Sequence, residues 1–292
     1  MTHHKWEDRR AEMGDLDGNA WIRIDYNHGR YNPRYQTTRK FDLYRAHFGR
    51  DLYRQEYENG SRLDFGVMGL IGISSSKMKQ DGLSAKGNLT SYNIGAYGTW
   101  QQHPDTKLGT YIDVWTMFGW NKSEVKGQGL ATETIRPRTF TVSAEIGRAV
   151  EVDRGDNYTV YLQPQAQLIW GQYRAKDHTE NTKTVVSGMR SSDFYFRFGM
   201  RLYADMVTES GKHYQPFFDV NYWRSPSRHS MTFNNDRITE INPGRGKVFD
   251  LSLGVKRHFD NDNEGWLRVG YKFGSEKYRD VNVNVGYTHH FR

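Results

Sequence analysis

Residues 194–203 read FYFRFGMRLY. Phe194, Phe196, Phe198, Met200 and Leu202 fall on one parity, and Tyr195, Arg197, Gly199, Arg201 and Tyr203 on the other. Successive side chains of a β-strand point to opposite faces, so this strand is greasy on one side and cationic on the other. The same stripe recurs along the chain. In 159–172, Val160, Leu162, Ala166, Leu168 and Trp170 oppose Gln163, Gln165 and Gln167. In 281–292, Val281, Val283, Val285, Tyr287 and Phe291 oppose Asn282, Asn284, Gly286 and Thr288. Twelve such segments lie near 19–28, 40–53, 61–74, 89–101, 108–121, 138–151, 157–173, 189–205, 214–225, 246–258, 264–274 and 280–291. Each has the roughly 9–11 residues that a tilted strand needs to cross a bilayer. Their number is even, as in single-chain bacterial barrels.

Composition alone points elsewhere. Mean hydropathy is -0.87 and 36% of residues are hydrophobic, values that suggest a poor core. Yet 14% are aromatic and lie in strand-like settings. A membrane barrel reconciles the two, because only its lipid face must be apolar while lumen and loops are polar. A soluble sandwich or lipocalin-like barrel would fill its interior with apolar side chains and put charge outside. No run of about 18 apolar residues supplies a transmembrane helix. The absence of cysteine excludes disulfides and thiolate metal sites. The net charge of +7 is spread along the chain rather than clustered, which argues against nucleic-acid binding.

The polar parity carries the candidate channel lining. It comprises Arg23 and Asp25 in the first segment, Arg45 in the second, Asp64 in the third and Asp113 in the fifth. Glu145 follows in the sixth, Gln163, Gln165 and Gln167 in the seventh, and Arg197 and Arg201 in the eighth. Asp219 and Asn221 lie in the ninth, Asp250 and Lys256 in the tenth, Arg268 and Lys272 in the eleventh. Connections alternate in length. Those after odd segments are long, such as SSSKMKQDGLSAKGN (74–88) and SPSRHSMTFNNDRITEINPGR (225–245); those after even ones are mostly short, such as EVDRGDN (151–157). Long extracellular loops and short periplasmic turns give that alternation, with both barrel ends on the periplasmic side.

Several stretches carry a specific resemblance. MGDLDGNAWIRI (13–24), VSAEIG (142–147), YLQPQAQLIWGQ (161–172), QPFFDVNYW (215–223) and LSLGVKRHFDND (251–262), in that order, resemble the C-terminal translocator domain of autotransporters, the type V secretion proteins, in the AIDA-type subgroup. The resemblance runs from about residue 9 to Phe291. It implies an all-β, twelve-stranded antiparallel transmembrane β-barrel with an N-terminal helix in the lumen: residues 1–18 a lumen-threading helix or linker, 19–292 the barrel. It implies secretion or surface display of an N-terminal passenger. The chain then reads as the C-terminal portion of a longer precursor, an expressed fragment or a truncated reading frame. Insertion by the barrel assembly machinery with periplasmic chaperones is also implied, with Val285, Tyr287 and Phe291 as the terminal signal. Arg292 follows where the family ends on its aromatic. The expected surroundings are outer-membrane lipid and lipopolysaccharide, and the expected state is a monomer. The alternative is a passive porin-like channel.

Candidate chemistry is sparse. The leader THHKWEDRRAEMGDLDG (2–18) is charge-dense; against a disordered tail stands a helix that finds polar partners in the lumen and stops at Gly18. Some relatives cut the passenger free at an Asn-Asn pair, which aligns here with Glu7-Asp8; Glu does not repeat that chemistry. Arg154-Gly155-Asp156 is expected in a periplasmic turn. Adjacent His289 and His290 point to opposite faces and make a poor chelate. DNDNEG (260–265) lacks the twelve-residue calcium pattern. Asp177 and His178, and His229, are loop residues without a nucleophile–base motif. No catalytic residue, metal or cofactor is expected.

Overall fold

The computed structural model describes residues 19–32, 37–104, 106, 108–225, 228–234, 236–241, 246–259 and 262–290. The helix expected over residues 3–16, the Glu7-Asp8 pair and Phe291 lie outside them. Among the described residues, twelve long strands form the body of the fold: β1 Asn19–Tyr31, β2 Thr38–Glu56, β3 Arg62–Gln80, β4 Leu83–His103, β5 Leu108–Gly127 and β6 Arg138–Arg154, then β7 Tyr158–Arg174, β8 Arg190–Val207, β9 His213–Ser225, β10 Gly246–His258, β11 Asn263–Gly274 and β12 Tyr278–His290. Each pairs antiparallel with its neighbours in sequence order, and β12 returns to β1, with Ala20 opposite His289 and Arg30 opposite Arg279. The ring is therefore closed. Closure satisfies every strand's ladder from within and leaves no open edge, which is what a lipid environment demands.

The two parities differ as the alternation requires. In β8, Phe198 and Met200 are exposed while Arg197 and Arg201 are buried. In β12, Val281, Val285 and Tyr287 are exposed while Asn282, Asn284 and Thr288 are buried. This inverts a soluble protein: the apolar side chains face out and the charged ones in.

The strands are longer than the sequence suggests at one end of the ring. SSSKMKQDGLSAKGN is expected as a loop, but β3 and β4 run through it and meet in a turn of Asp81 and Gly82, between paired Gln80 and Leu83. Both turn residues have positive φ, 47° and 81°, as a two-residue primed hairpin turn needs. Alternation fades there because both faces of the hairpin meet water, yet the ladder still holds it extended. Other long connections also acquire structure. Thr132–Ile135 folds back on β5. The β7–β8 and β9–β10 connections contribute His178–Thr179, Val185–Ser187, Arg228–Phe233 and Asp236–Ile241 to a separate four-stranded sheet. Ala175, Val186 and Met189 form a small apolar cluster at its base, with Ile135 and Tyr173 packed on it. At the other end the connections are 57–61, 104–107, 155–157, 208–212 and 259–262, all short.

The buried parity is not uniformly polar. Met68, Leu70, Tyr97, Trp115, Met117, Ile169, Trp223 and Val248 form an apolar cluster on it. Glycines opposite aromatic residues make room for such rings. Tyr111 lies across the α-carbon of its register partner Gly147, and Trp266 does the same over Gly286, so a side chain at either glycine would collide with the ring. Covering a strand glycine with a cross-strand aromatic restores the packing that glycine lacks.

Candidate functional site

The buried parity forms a connected set of charge pairs. On β1 and β2, Asp25 accepts from Arg23 Nε at 3.0 Å and His47 Nε2 at 3.0 Å, with Arg45 Nε at 3.5 Å. Arg45 donates on to Asn27 Oδ1 at 3.1 Å, and Asn27 Nδ2 donates to Asp280 at 3.0 Å, which carries the network across the β1–β12 closure. A second cluster spans four strands. Arg201 binds Asp219 through two nitrogens, and Arg268 Nε approaches the same carboxylate at 3.5 Å. Arg268 also reaches Asp250 at 3.7 Å, and Lys272 lies 3.8 Å from it. Ser252 bridges the two, donating to Asp250 at 3.0 Å and accepting from Arg268 at 2.9 Å.

A third cluster centres on Glu145. Arg197 Nη2 binds it at 2.7 Å, and the Tyr111 hydroxyl donates to its other oxygen. Tyr111 also contacts Gln165 at 3.1 Å, Gln163 donates to Gln165 at 3.4 Å, and Gln167 donates to Ser143 at 2.9 Å. Near the ends of strands, Asp64 takes Arg54 at 2.8 Å and Arg62 at 3.2 Å, and Lys256 binds Glu264 at 2.7 Å. Asp113 accepts from Thr99 at 2.9 Å. Buried charge is costly unless it is paired or hydrogen-bonded, and each of these carboxylates has at least one such partner.

Every one of the sixteen charged or amide residues picked out above, from Arg23 to Lys272 with Asn221 set aside, is no more than 8% exposed; Asn221 is buried too. Partners that the sequence did not single out complete the set: His47, Asn27, Arg54, Arg62, Tyr111, Ser252, Glu264 and Asp280. Their parity marks them as inward, but no local signal says which charge each meets. Of the terminal-strand residues, Val285 and Tyr287 lie on the exposed parity, and the Tyr287 hydroxyl donates to Asn263.

The remaining candidates are structural. Asp177 accepts the backbone N–H of Gly188 at 3.1 Å, which holds the β7–β8 connection. Arg154 of the Arg-Gly-Asp turn is bound to Glu151 at 2.6 Å. His289 contacts Asn263 at 2.9 Å. Among the described residues no group of three or more His, Asp or Glu side chains is placed to hold a metal ion, and no helix is long and apolar enough to cross a membrane.

A closed ring of twelve antiparallel strands with this inward charge and outward grease matches a known family. The sequence model of the autotransporter beta-domain matches residues 20–270. The chain belongs to the autotransporter β-domain family. As such it is an outer-membrane translocator domain. This β-domain is 25% identical over 283 residues to the uncharacterized protein YuaQ of Escherichia coli K12, covering 93% of the chain and 20% of that protein. It is 25% identical over 256 residues to the Escherichia coli autotransporter adhesin AIDA-I, covering 83% of the chain and 20% of the adhesin. The chain thus spans about a fifth of the length of these two relatives. The AIDA-I transport unit superposes on it with a TM-score of 0.86 at 20% identity, over 98% of this chain and 97% of that one. The β-domain of the Bordetella autotransporter BrkA superposes with a TM-score of 0.70 at 16% identity, over 94% and 99% of the two chains. These two likenesses speak to the fold.

Proposed function

We propose that this β-domain carries an N-terminal passenger to the cell surface, through or with its own barrel. In this reading both ends of the ring's strand order, β1 at Asn19 and β12 at His290, lie at the periplasmic rim, and the long connections lie outside. The observation that carries the reading is the charge-paired inner parity within an apolar outer one. Paired charges hydrate a passage without leaving a strong net field to trap a chain. The residues from Arg23 to Lys272 then line the lumen, and none acts as a catalyst.

Residues 3–16 run as a helix into that lumen. Fourteen residues at about 1.5 Å each span roughly 21 Å, most of a hydrocarbon core. A charged helix costs little where Arg, Asp and Gln side chains offer partners. The barrel assembly machinery, with periplasmic chaperones, inserts the domain as a monomer among outer-membrane lipid and lipopolysaccharide, reading Val285, Tyr287 and Phe291.

Planar-bilayer conductance tests the reading. The full chain should conduct weakly, and removal of residues 1–18 should raise conductance while leaving a folded, inserted barrel. High conductance in the full chain, unchanged by the deletion, would instead favour a passive channel.

A further inference from the structure

Like charges set directly opposite each other on paired strands destabilise a sheet. Here Arg279 of β12 lies opposite Arg30 of β1, and Arg30 opposite Lys40 of β2. Lys40 in turn lies opposite Lys77 of β3, Lys77 opposite Lys86 of β4, and Lys86 opposite Lys126 of β5. Six cations stand in one unbroken row across six neighbouring strands. At about 4.8 Å per strand the row is roughly 24 Å long. All six are exposed. They share the outer parity of Val281, Ile24, Tyr44, Ile73, Tyr92 and Trp120.

The row lacks acids of its own. The nearest in register, Asp42 and Glu124, stand one row away: Asp42 is held by Tyr26 at 2.9 Å and His28 at 2.8 Å and also feels the charge of Lys77, and Glu124 is paired with Lys122 at 2.6 Å. Among the described residues none of the six cations makes an ion pair. The opposite rim is different, since its Arg154 is bound to Glu151.

Beyond Arg279 the same row continues as Phe273 and Phe249, stacked at 5.6 Å, and then Tyr222. Aromatic side chains at strand ends mark the depth where hydrocarbon gives way to headgroups. The cations begin where that girdle stops. At the junction a surface cavity is lined by Arg30, Lys247, Lys277 and Arg279 together with Phe249 and Phe273. Cations and exposed rings side by side suit a ligand with an anionic head and acyl chains.

We propose that the girdle end of this row, Arg279, Arg30 and Lys40, binds the phosphorylated headgroups of lipids in the leaflet around the barrel, with the cavity at Arg30 and Arg279 as its first seat. One phosphate has oxygens enough to bridge two cations about 5 Å apart, through charge-assisted hydrogen bonds. A phosphorylated glycolipid brings several such anions in one plane and lays its chains against Phe249 and Phe273. The repulsion along the row is then relieved by the membrane rather than by the protein. The placement of that leaflet on the cell exterior rests on the orientation proposed above; the recognition of phosphate does not.

The test is native mass spectrometry of the full chain in detergent, titrated with diphosphorylated lipid A, with the same lipid dephosphorylated, and with inorganic phosphate. Lipid A should be retained and the dephosphorylated lipid lost. The triple variant R30Q/K40Q/R279Q should bind lipid A roughly a hundredfold more weakly, at about fivefold per charge. R154Q/K212Q at the other rim should bind as the parent does. In lipid-free detergent the triple variant should melt at a higher temperature than the parent, because repulsion is removed. That readout also shows the variant is folded, and the single changes K40Q and R279Q serve if the triple does not assemble. Equal retention of the dephosphorylated lipid, unchanged affinity in the variants, or inorganic phosphate binding as tightly as the lipid would each overturn the proposal. All arms are run in detergent, so their outcome is independent of which rim faces out.

Discussion

Arg201 and Asp219 face each other across β8 and β9 as register partners, joined by Nε to Oδ1 at 2.7 Å and Nη2 to Oδ2 at 3.0 Å. Both side chains are buried, and the guanidinium also lies 4.4 Å over the Phe217 ring. The pair is one link of the chain that runs through Arg268 to Asp250 and Lys272. Its geometry ties β8 and β9 to β10 and β11.

Breaking one side of that pair should hurt more than removing both. Arg201→Leu leaves Asp219 buried with its two-nitrogen partner gone and Arg268 Nε at 3.5 Å, and should cost about 3 kcal/mol of stability. The double variant R201L/D219L should cost less than R201L alone. Heat-modifiable gel migration in detergent reads both. A double variant less stable than the single would show that the pair is not the unit.

Phe198 points outward from the middle of β8 while its neighbour Arg197 points in. An arginine on the lipid face near the midplane costs about 2–4 kcal/mol in a barrel. Phe198→Arg should therefore lower the unfolding free energy, read by denaturant titration in liposomes, by that amount. Lys86→Ala, on the projecting β3–β4 hairpin, should leave it within about 0.5 kcal/mol. Equal effects would mean that Phe198 does not meet hydrocarbon.

Gly147 is the floor on which the Tyr111 ring lies. Gly147→Val should push the ring off and strip Glu145 and Gln165 of its hydroxyl, at a cost of about 1–3 kcal/mol typical of overpacking. Shortening the ring's reach at the same time, with Tyr111→Ala, should recover part of the packing strain but not the lost hydrogen bonds. A thermal melt identical to the parent for Gly147→Val would show that the ring has another place to go.

Orientation can be read on intact cells. An epitope placed at Asn234, in the hairpin between Arg228–Phe233 and Asp236–Ile241, should be labelled from outside. One placed at Asn157, in the short turn after β6, should be labelled only after the outer membrane is permeabilised. Labelling of the Asn157 epitope on intact cells would reverse the topology.

Much of this protein is legible without coordinates. Period-two alternation marks all twelve strands, because one face meets lipid and the other does not, and that demand repeats in every strand independently. Parity alone then tells Arg197 from Phe198 and Gln165 from Ala166. The Asp81-Gly82 pair is also a local hairpin signal within 74–88, where alternation fades although the strands continue.

Tertiary structure decided the rest, and the physical reason is register. Pairing partners are set by how far each strand slides past the next before the ring closes, a property of no single segment. Local pattern says that Asp25 and His47 point inward; it cannot say that they meet 3.0 Å apart. It cannot say that Trp115 and Met117 share the inner face with charges because an apolar cluster fills part of that space. Above all, Arg30, Lys40, Lys77, Lys86, Lys126 and Arg279 look scattered along the sequence. The antiparallel ladder brings them side by side, since residues far apart in the chain become neighbours at about 4.8 Å once strands pair.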